Sequence, residues 1–146
     1  MTSDPIPQAT LPDAGLGRKH LVLQIEDNIA NARLVMELIE RRLDLSLQTA
    51  KDGPQGIEMA IRLRPAVILL DMKLPGMSGL DVIPILGLNT VTARIPVIAL
   101  SSNAYPIEIR RCMDAGIFRY LTKPFKLDVL LDTIDEAIQC TRGRCP

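Results

Sequence analysis

The sequence predicts a doubly wound α/β domain in which five parallel strands form one sheet and five helices cover its two faces. Three observations carry that expectation. From residue 21 onward, short apolar and often β-branched runs alternate with longer segments of helical periodicity, as parallel strands require because each crossover needs a connecting element. The run over 66–70 is almost uninterrupted Val, Ile and Leu, as expected of a strand buried on both faces. Four polar clusters, Glu26-Asp27, Asp71, Ser101 and Lys123-Pro124, each follow such a run. In neighbouring parallel strands they converge on one sheet edge, where open α/β folds place their chemistry.

The elements follow in order. Residues 1–19 carry Pro5, Pro7 and Pro12 with Gly15 and Gly17, a composition that holds neither a helix nor a central strand, and are expected to form a flexible leader. The first strand is 21–25, and Leu34, Val35, Leu38 and Ile39 at helical spacing predict a first helix over 31–43. A short second strand at 45–50 precedes an Asp52-Gly53 turn and a helix to residue 63. The third strand at 66–70 runs into Asp71, and Leu74-Pro75-Gly76-Met77-Ser78-Gly79 introduces a third helix that Pro84 and Gly87 should weaken or kink, Pro84 also shortening it. A fourth strand at 96–100, a helix at 106–115 stopped by Gly116, a fifth strand at 118–122 and an amphipathic helix at 126–140 complete the set. The folded domain is therefore expected over 20–140, with a tail at 141–146.

At 146 residues the chain fits a single domain with a real core. Its 17 basic residues balance 17 acidic ones and no basic patch stands out, which argues against a nucleic-acid partner. No apolar stretch approaches the roughly 20 residues of a spanning helix, and the N-terminus lacks an export signal, so a cytoplasmic protein without membrane association is expected. Cys112, Cys140 and Cys145 follow no metal or redox spacing and are expected to be reduced thiols. His20 alone builds no metal site. Met36, Met59, Met77 and Met113 read as packing residues.

If Glu26, Asp27 and Asp71 meet, two ionised carboxylates about 4 Å apart repel by ~4 kcal/mol at an effective dielectric near 20, so the cluster calls for a counter-charge. An all-oxygen site with few protein ligands suits Mg²⁺, with Mn²⁺ as a substitute. Lys123 supplies a second, fixed positive charge. A pocket of this kind suits a transferring phosphoryl group, with Asp71 as the nucleophile that forms an aspartyl phosphate and Ser101 as a donor to a phosphoryl oxygen.

The stretches LVLQIEDN, VILLDMKLPGMSGLDV, IPVIALSSNA and GIFRYLTKPF, in this order and spacing, resemble the receiver domain of two-component response regulators, and most of all the receivers of hybrid sensor kinases. The likeness covers about residues 21–137. It implies a flavodoxin-like sheet and a phosphoacceptor that is not a classical enzyme, charged by a histidine kinase or a histidine phosphotransfer protein and read by a downstream protein. It implies Asp71 as phosphoacceptor, Asp27 as direct metal ligand, Glu26 acting through metal-bound water, and the Met72 backbone carbonyl as a further ligand. Ser101 and Tyr120 take the switch positions, Lys123 pairs with the phosphate, and Lys123-Pro124 is a cis peptide. Lys73 and Asn103 stand where side chains tune the phosphoryl lifetime. A monomer or a phosphorylation-dependent dimer is expected.

Departures are few. Gln24 places an amide where the family's first strand is commonly apolar, so partial solvation or a buried partner is expected there. Two other readings of the same residues are a phosphate-independent interaction module and a Mg²⁺-dependent phosphohydrolase. The first would have lost an acidic or lysine group, and none is missing. The second resembles enzymes with an Asp two residues past the nucleophile, where this chain has Lys73.

Overall fold

The computed structural model describes residues 19–140; the expected leader, but for Lys19, and the tail at 141–146 lie outside them. The elements are β1 (His20–Ile25), α1 (Ile29–Glu40), β2 (Leu45–Ala50), α2 (Gly53–Leu63), β3 (Val67–Asp71), α3 (Gly79–Leu88), β4 (Val97–Ser101), α4 (Pro106–Asp114), β5 (Arg119–Thr122) and α5 (Leu127–Gln139). All strand pairs are parallel and the sheet order is β2-β1-β3-β4-β5. The winding direction reverses between β1 and β3, and a crevice opens at the carboxyl ends of strands at such a reversal.

Side-chain alternation sorts the core into two layers. Leu23, Ile25, Ile68 and Leu70 pack against Met59, Val82 and Cys112 on one face. Val22, Val67, Leu69 and Ile98 pack against Val35, Ile39, Leu130 and Ile134 on the other. Every residue of β3 and β4 is buried, as expected for the apolar run of β3.

Local chemistry sets the helix limits. Asn28 caps α1 by accepting from the Asn31 N–H at 3.0 Å, Asp52 caps α2 by accepting from the Gln55 N–H at 2.8 Å, and Ser78 with Asp81 forms a capping box on α3. The helix α1 ends at Glu40 rather than at residue 43. Arg42 turns away to fork between Asp44 (2.8 and 2.9 Å) and Asp135 of α5 (2.9 and 3.2 Å), and Leu43 is left 89% exposed. Pro84 lies inside α3, which continues to Leu88, and is exposed to solvent. Gly116, at φ +101°, takes the left-handed conformation expected where α4 stops.

Cys112 is a buried free thiol, whereas Cys140 is disulfide-bonded, which corrects the expectation of reduced thiols at that position. Met59 is buried, but Met36 and Met113 are 39% and 45% exposed and are not core residues. No helix among the described residues is long and apolar enough to cross a membrane.

Candidate functional site

The acidic edge is built on close packing. Gly56 of α2 lies against Ile25, whose side chain would stand 2.4 Å from a Cβ there, and so α2 seats tightly beneath the end of β1. Gly79 plays the same part beside β3, since a Cβ would meet the Met72 Cα at 2.8 Å. These contacts hold the loops after β1 and β3 at fixed height. Under the edge, Gln24 is 2% exposed, and its amide nitrogen donates to the Ala32 carbonyl at 3.3 Å and to Thr49 Oγ1 at 3.2 Å. The amide that departs from an apolar first strand is thus paired, joining α1 and β2 across β1.

Above that floor the three carboxylates meet. Ligand oxygens of Glu26, Asp27 and Asp71 lie within 4.8 Å of one another, with Glu26 and Asp71 buried and Asp27 exposed. The Lys123 Nζ stands 3.6 Å from Glu26 Oε1 and 3.9 Å from Asp71 Oδ1. Backbone amides add positive dipoles: Asn28 N donates to Glu26 Oε2 at 3.2 Å and Lys73 N to Asp71 Oδ1 at 3.1 Å.

Burial, followed by the hydrogen bond to Asp71 and that group's charge, pushes the Glu26 carboxyl up to about 7, against the smaller opposing pulls of Asn28 and Lys123. One lysine does not fully compensate the cluster. Three carboxylates offering hard oxygens, one of them held toward its protonated form chiefly by burial, are what a divalent, oxygen-seeking cation fits.

The remaining predicted residues divide. The Met72 carbonyl accepts from the Gly79 N–H at 3.1 Å and retains its second lone pair. Ser101 is buried at the end of β4, one residue past Leu100, the register partner of Asp71, and its Oγ accepts from the Asn103 N–H at 3.0 Å. Tyr120 is turned inward, its hydroxyl donating to the Asn103 carbonyl at 2.6 Å. The Asn103 side chain caps the loop by accepting from the Tyr105 N–H at 2.8 Å. Lys73 is exposed. The Lys123-Pro124 peptide is cis. Sequence reasoning missed Asn28 as a donor to Glu26; an Asn two residues past the acid, before a helical segment, was the available signal. It also missed the Asn103 carbonyl as the acceptor for Tyr120, for which no sequence signal exists because every residue has a carbonyl.

Residues 22–135 match the response regulator receiver domain family. The chain belongs to that family. Receivers are signalling phosphoacceptors rather than classical enzymes, and the acidic pocket of Glu26, Asp27 and Asp71 sits in this one at the sheet's reversal point. The chain is 33% identical over 113 residues to the polar-differentiation response regulator DivK of Brucella anthropi, covering 77% of this chain and 91% of that protein. It is 34% identical over 115 residues to the peroxide stress-activated histidine kinase mak1 of Schizosaccharomyces pombe, covering 75% of this chain but only 7% of that one. Among solved structures, the receiver domain of a Pseudomonas aeruginosa sensor histidine kinase, with a magnesium ion coordinated in its active-site cleft, superposes with a TM-score of 0.75 at 30% identity, over 82% of this chain and 98% of that one. The receiver of a Vibrio parahaemolyticus Luxo repressor protein, at TM-score 0.80 and 24% identity over 86% of this chain and 94% of that one, supports the fold.

Proposed function

We propose that this receiver, spanning residues 20–140 and acting in the cytoplasm, takes a phosphoryl group onto Asp71 from a phosphohistidine of a histidine kinase or histidine phosphotransfer protein. The observation that carries the reading is the position of the Lys123 ammonium, 3.6 Å and 3.9 Å from the two buried carboxylates of a cluster whose third member is exposed. Asp27 and Asp71, with the Met72 carbonyl and with Glu26 through water, would hold Mg²⁺, or Mn²⁺ in its place. When bound, that ion offsets the charge of the carboxylates and of the phosphoryl oxygens.

The phosphorus–nitrogen bond to imidazole breaks as an Asp71 carboxylate oxygen bonds to phosphorus, and the departing imidazole takes a proton from water. Lys123 and Ser101 contact the equatorial oxygens, where positioning and charge compensation carry most of the catalysis. A groove of about 230 Å³, with Leu34 and Phe125 on its walls, opens beside Glu26 and Lys123 and gives a donor access. Lys73 and Asn103 at the rim tune the lifetime of the acyl phosphate.

Once Ser101 turns to the phosphoryl group, its bond to the Asn103 N–H is lost, and Asn103 also anchors Tyr120. The response therefore passes into the 102–105 loop and the start of α4, where Tyr105 and Ile107 are 70% and 64% exposed and offer a surface to a downstream protein. Asp71→Asn is expected to keep the fold and to lose labelling by a phosphohistidine donor, and chelation of divalent cations should abolish labelling of the unaltered chain. Full labelling of the variant would move the acceptor to another residue.

A further inference from the structure

The two edges of the sheet differ. The β5 edge is four residues long, begins with the charged Arg119 and runs into Lys123-Pro124, features that discourage pairing with another chain. The β2 edge is six residues, LSLQTA, with no charge and no proline, and among the described residues it pairs only with β1. Asp44 and Ala50 turn their carbonyls toward β1, accepting from His20 N at 2.8 Å and Glu26 N at 2.9 Å. By strand alternation the backbone groups of Leu47 and Thr49 face outward.

Two grooves, of about 360 and 490 Å³, run beside this edge and share Met36 and Thr49, so they form one channel between β2 and the outer side of α1. Gln24 bonds both the Ala32 carbonyl and Thr49 Oγ1, which sets those residues at one level. The helix α1 runs opposite to β2 and rises about 1.5 Å per residue against roughly 3.3 Å for the strand. Met36 is therefore level with Leu47, Arg33 lies toward Thr49, and Glu40 lies level with Leu45. The stripe of α1 beside the open edge reads basic, apolar, acidic, and all three residues are exposed.

We infer that the β2 edge and this stripe of α1 form an isologous docking surface for a second copy of the chain, with the two β2 strands antiparallel about a two-fold axis at Leu47. That operation sets Leu47 against Leu47 and Leu45 against Thr49, while 89%-exposed Leu43 falls beside the Lys51 stem. On α1 it sets Met36 against Met36 and Arg33 of one copy against Glu40 of the other, twice. Arg42, which also lines the channel, is already paired with Asp44 and Asp135. This self-complementarity selects a second copy over an unrelated strand. Antiparallel pairing points the two acidic pockets in opposite directions, with Glu26 and Asp27 at the end of the channel farthest from the axis.

Sedimentation equilibrium of the full chain over a concentration series tests the surface, using exposed positions whose change leaves the fold intact. A concentration-dependent dimer is expected. Arg33→Glu or Glu40→Arg alone should weaken it roughly tenfold, since two surface pairs become repulsive. The double variant, and an equimolar mixture of the two single variants, should recover association, because each then brings opposite charges together. Amide exchange at Leu47 and Thr49 should slow as protein concentration rises. A chain that stays monomeric, a dimer indifferent to the charge swaps, or edge amides protected equally at every concentration, as when another segment of the same chain covers them, would each overturn the inference.

Discussion

Along β3, Val67 to Leu70 are fully buried among apolar side chains, and the next residue, Asp71, is a buried carboxylate beside a second one, Glu26. The same step occurs on β1, where Ile25 is followed by Glu26, and on β4, where Leu100 is followed by Ser101. In the body of the sheet each large side chain removed from water contributes roughly 1.5–3 kcal/mol to folding. At the carboxyl edge, two carboxylates within 4.8 Å repel by ~3–4 kcal/mol at an effective dielectric near 20 when both are ionised, which the Lys123 ammonium offsets in part. The body generates the stability that lets the edge remain strained until a cation and a phosphoryl group arrive.

The largest expected effect lies in the body. Leu69→Ala removes a side chain that is 0% exposed and should lower unfolding free energy by ~3 kcal/mol, read from urea titration. The same truncation at Ile107, 64% exposed, should cost less than ~0.5 kcal/mol. Equal losses at the two positions would mean that the body is not close-packed and that the contrast with the edge is false.

The edge should respond to pH in the opposite sense from an ordinary paired carboxylate. Glu26 titrates near 7 in the fold, against 4.5 in the unfolded chain, chiefly because it is buried. Between those values the native state holds the extra proton, so stability is greatest toward pH 5 and falls as pH rises through 7, by on the order of 2 kcal/mol. Thermal unfolding of metal-free protein at pH 5 and pH 8 reads this slope. Glu26→Gln should flatten it, and saturating Mg²⁺ should reverse it, because a cation favours the ionised carboxylate. A slope unchanged in the Gln variant would assign the strain to other groups.

The body was legible in the sequence because β3 and β4 declare themselves by unbroken apolar runs, and the edge because a polar residue closes each of those runs. What stayed hidden was long-range side-chain pairing. Nothing local to Arg42 announces Asp135, 93 positions away, yet the two meet just past the end of α1 at Glu40. Pro84 stands inside α3 on its exposed side, a facing that is a tertiary property and not readable from the residue itself. Gln24 was flagged as a departure, but its partners Ala32 and Thr49 belong to two other elements.

A smaller effect than that of Glu26 is expected where edge and body are joined. Tyr120 belongs to the body by its ring, which packs against the core layer that holds Ala99 and Cys112, and to the edge by its hydroxyl, which holds the Asn103 carbonyl. Tyr120→Phe keeps the ring and deletes the bond. Because Asn103 is only partly buried, water replaces the donor and the loss should be ~0.5–1 kcal/mol, at the low end for a hydrogen bond. The effect should be local: amide exchange at 103–105 should accelerate about threefold, while α5, held by the Arg42–Asp135 and Arg119–Glu136 pairs, should not change. The variant should still take up beryllium fluoride, since no atom of the acidic cluster is altered. If exchange instead accelerates alike in the loop and in α5, the two regions open as one unit, and the loop after β4 is not a separately movable reporter of what happens at Asp71.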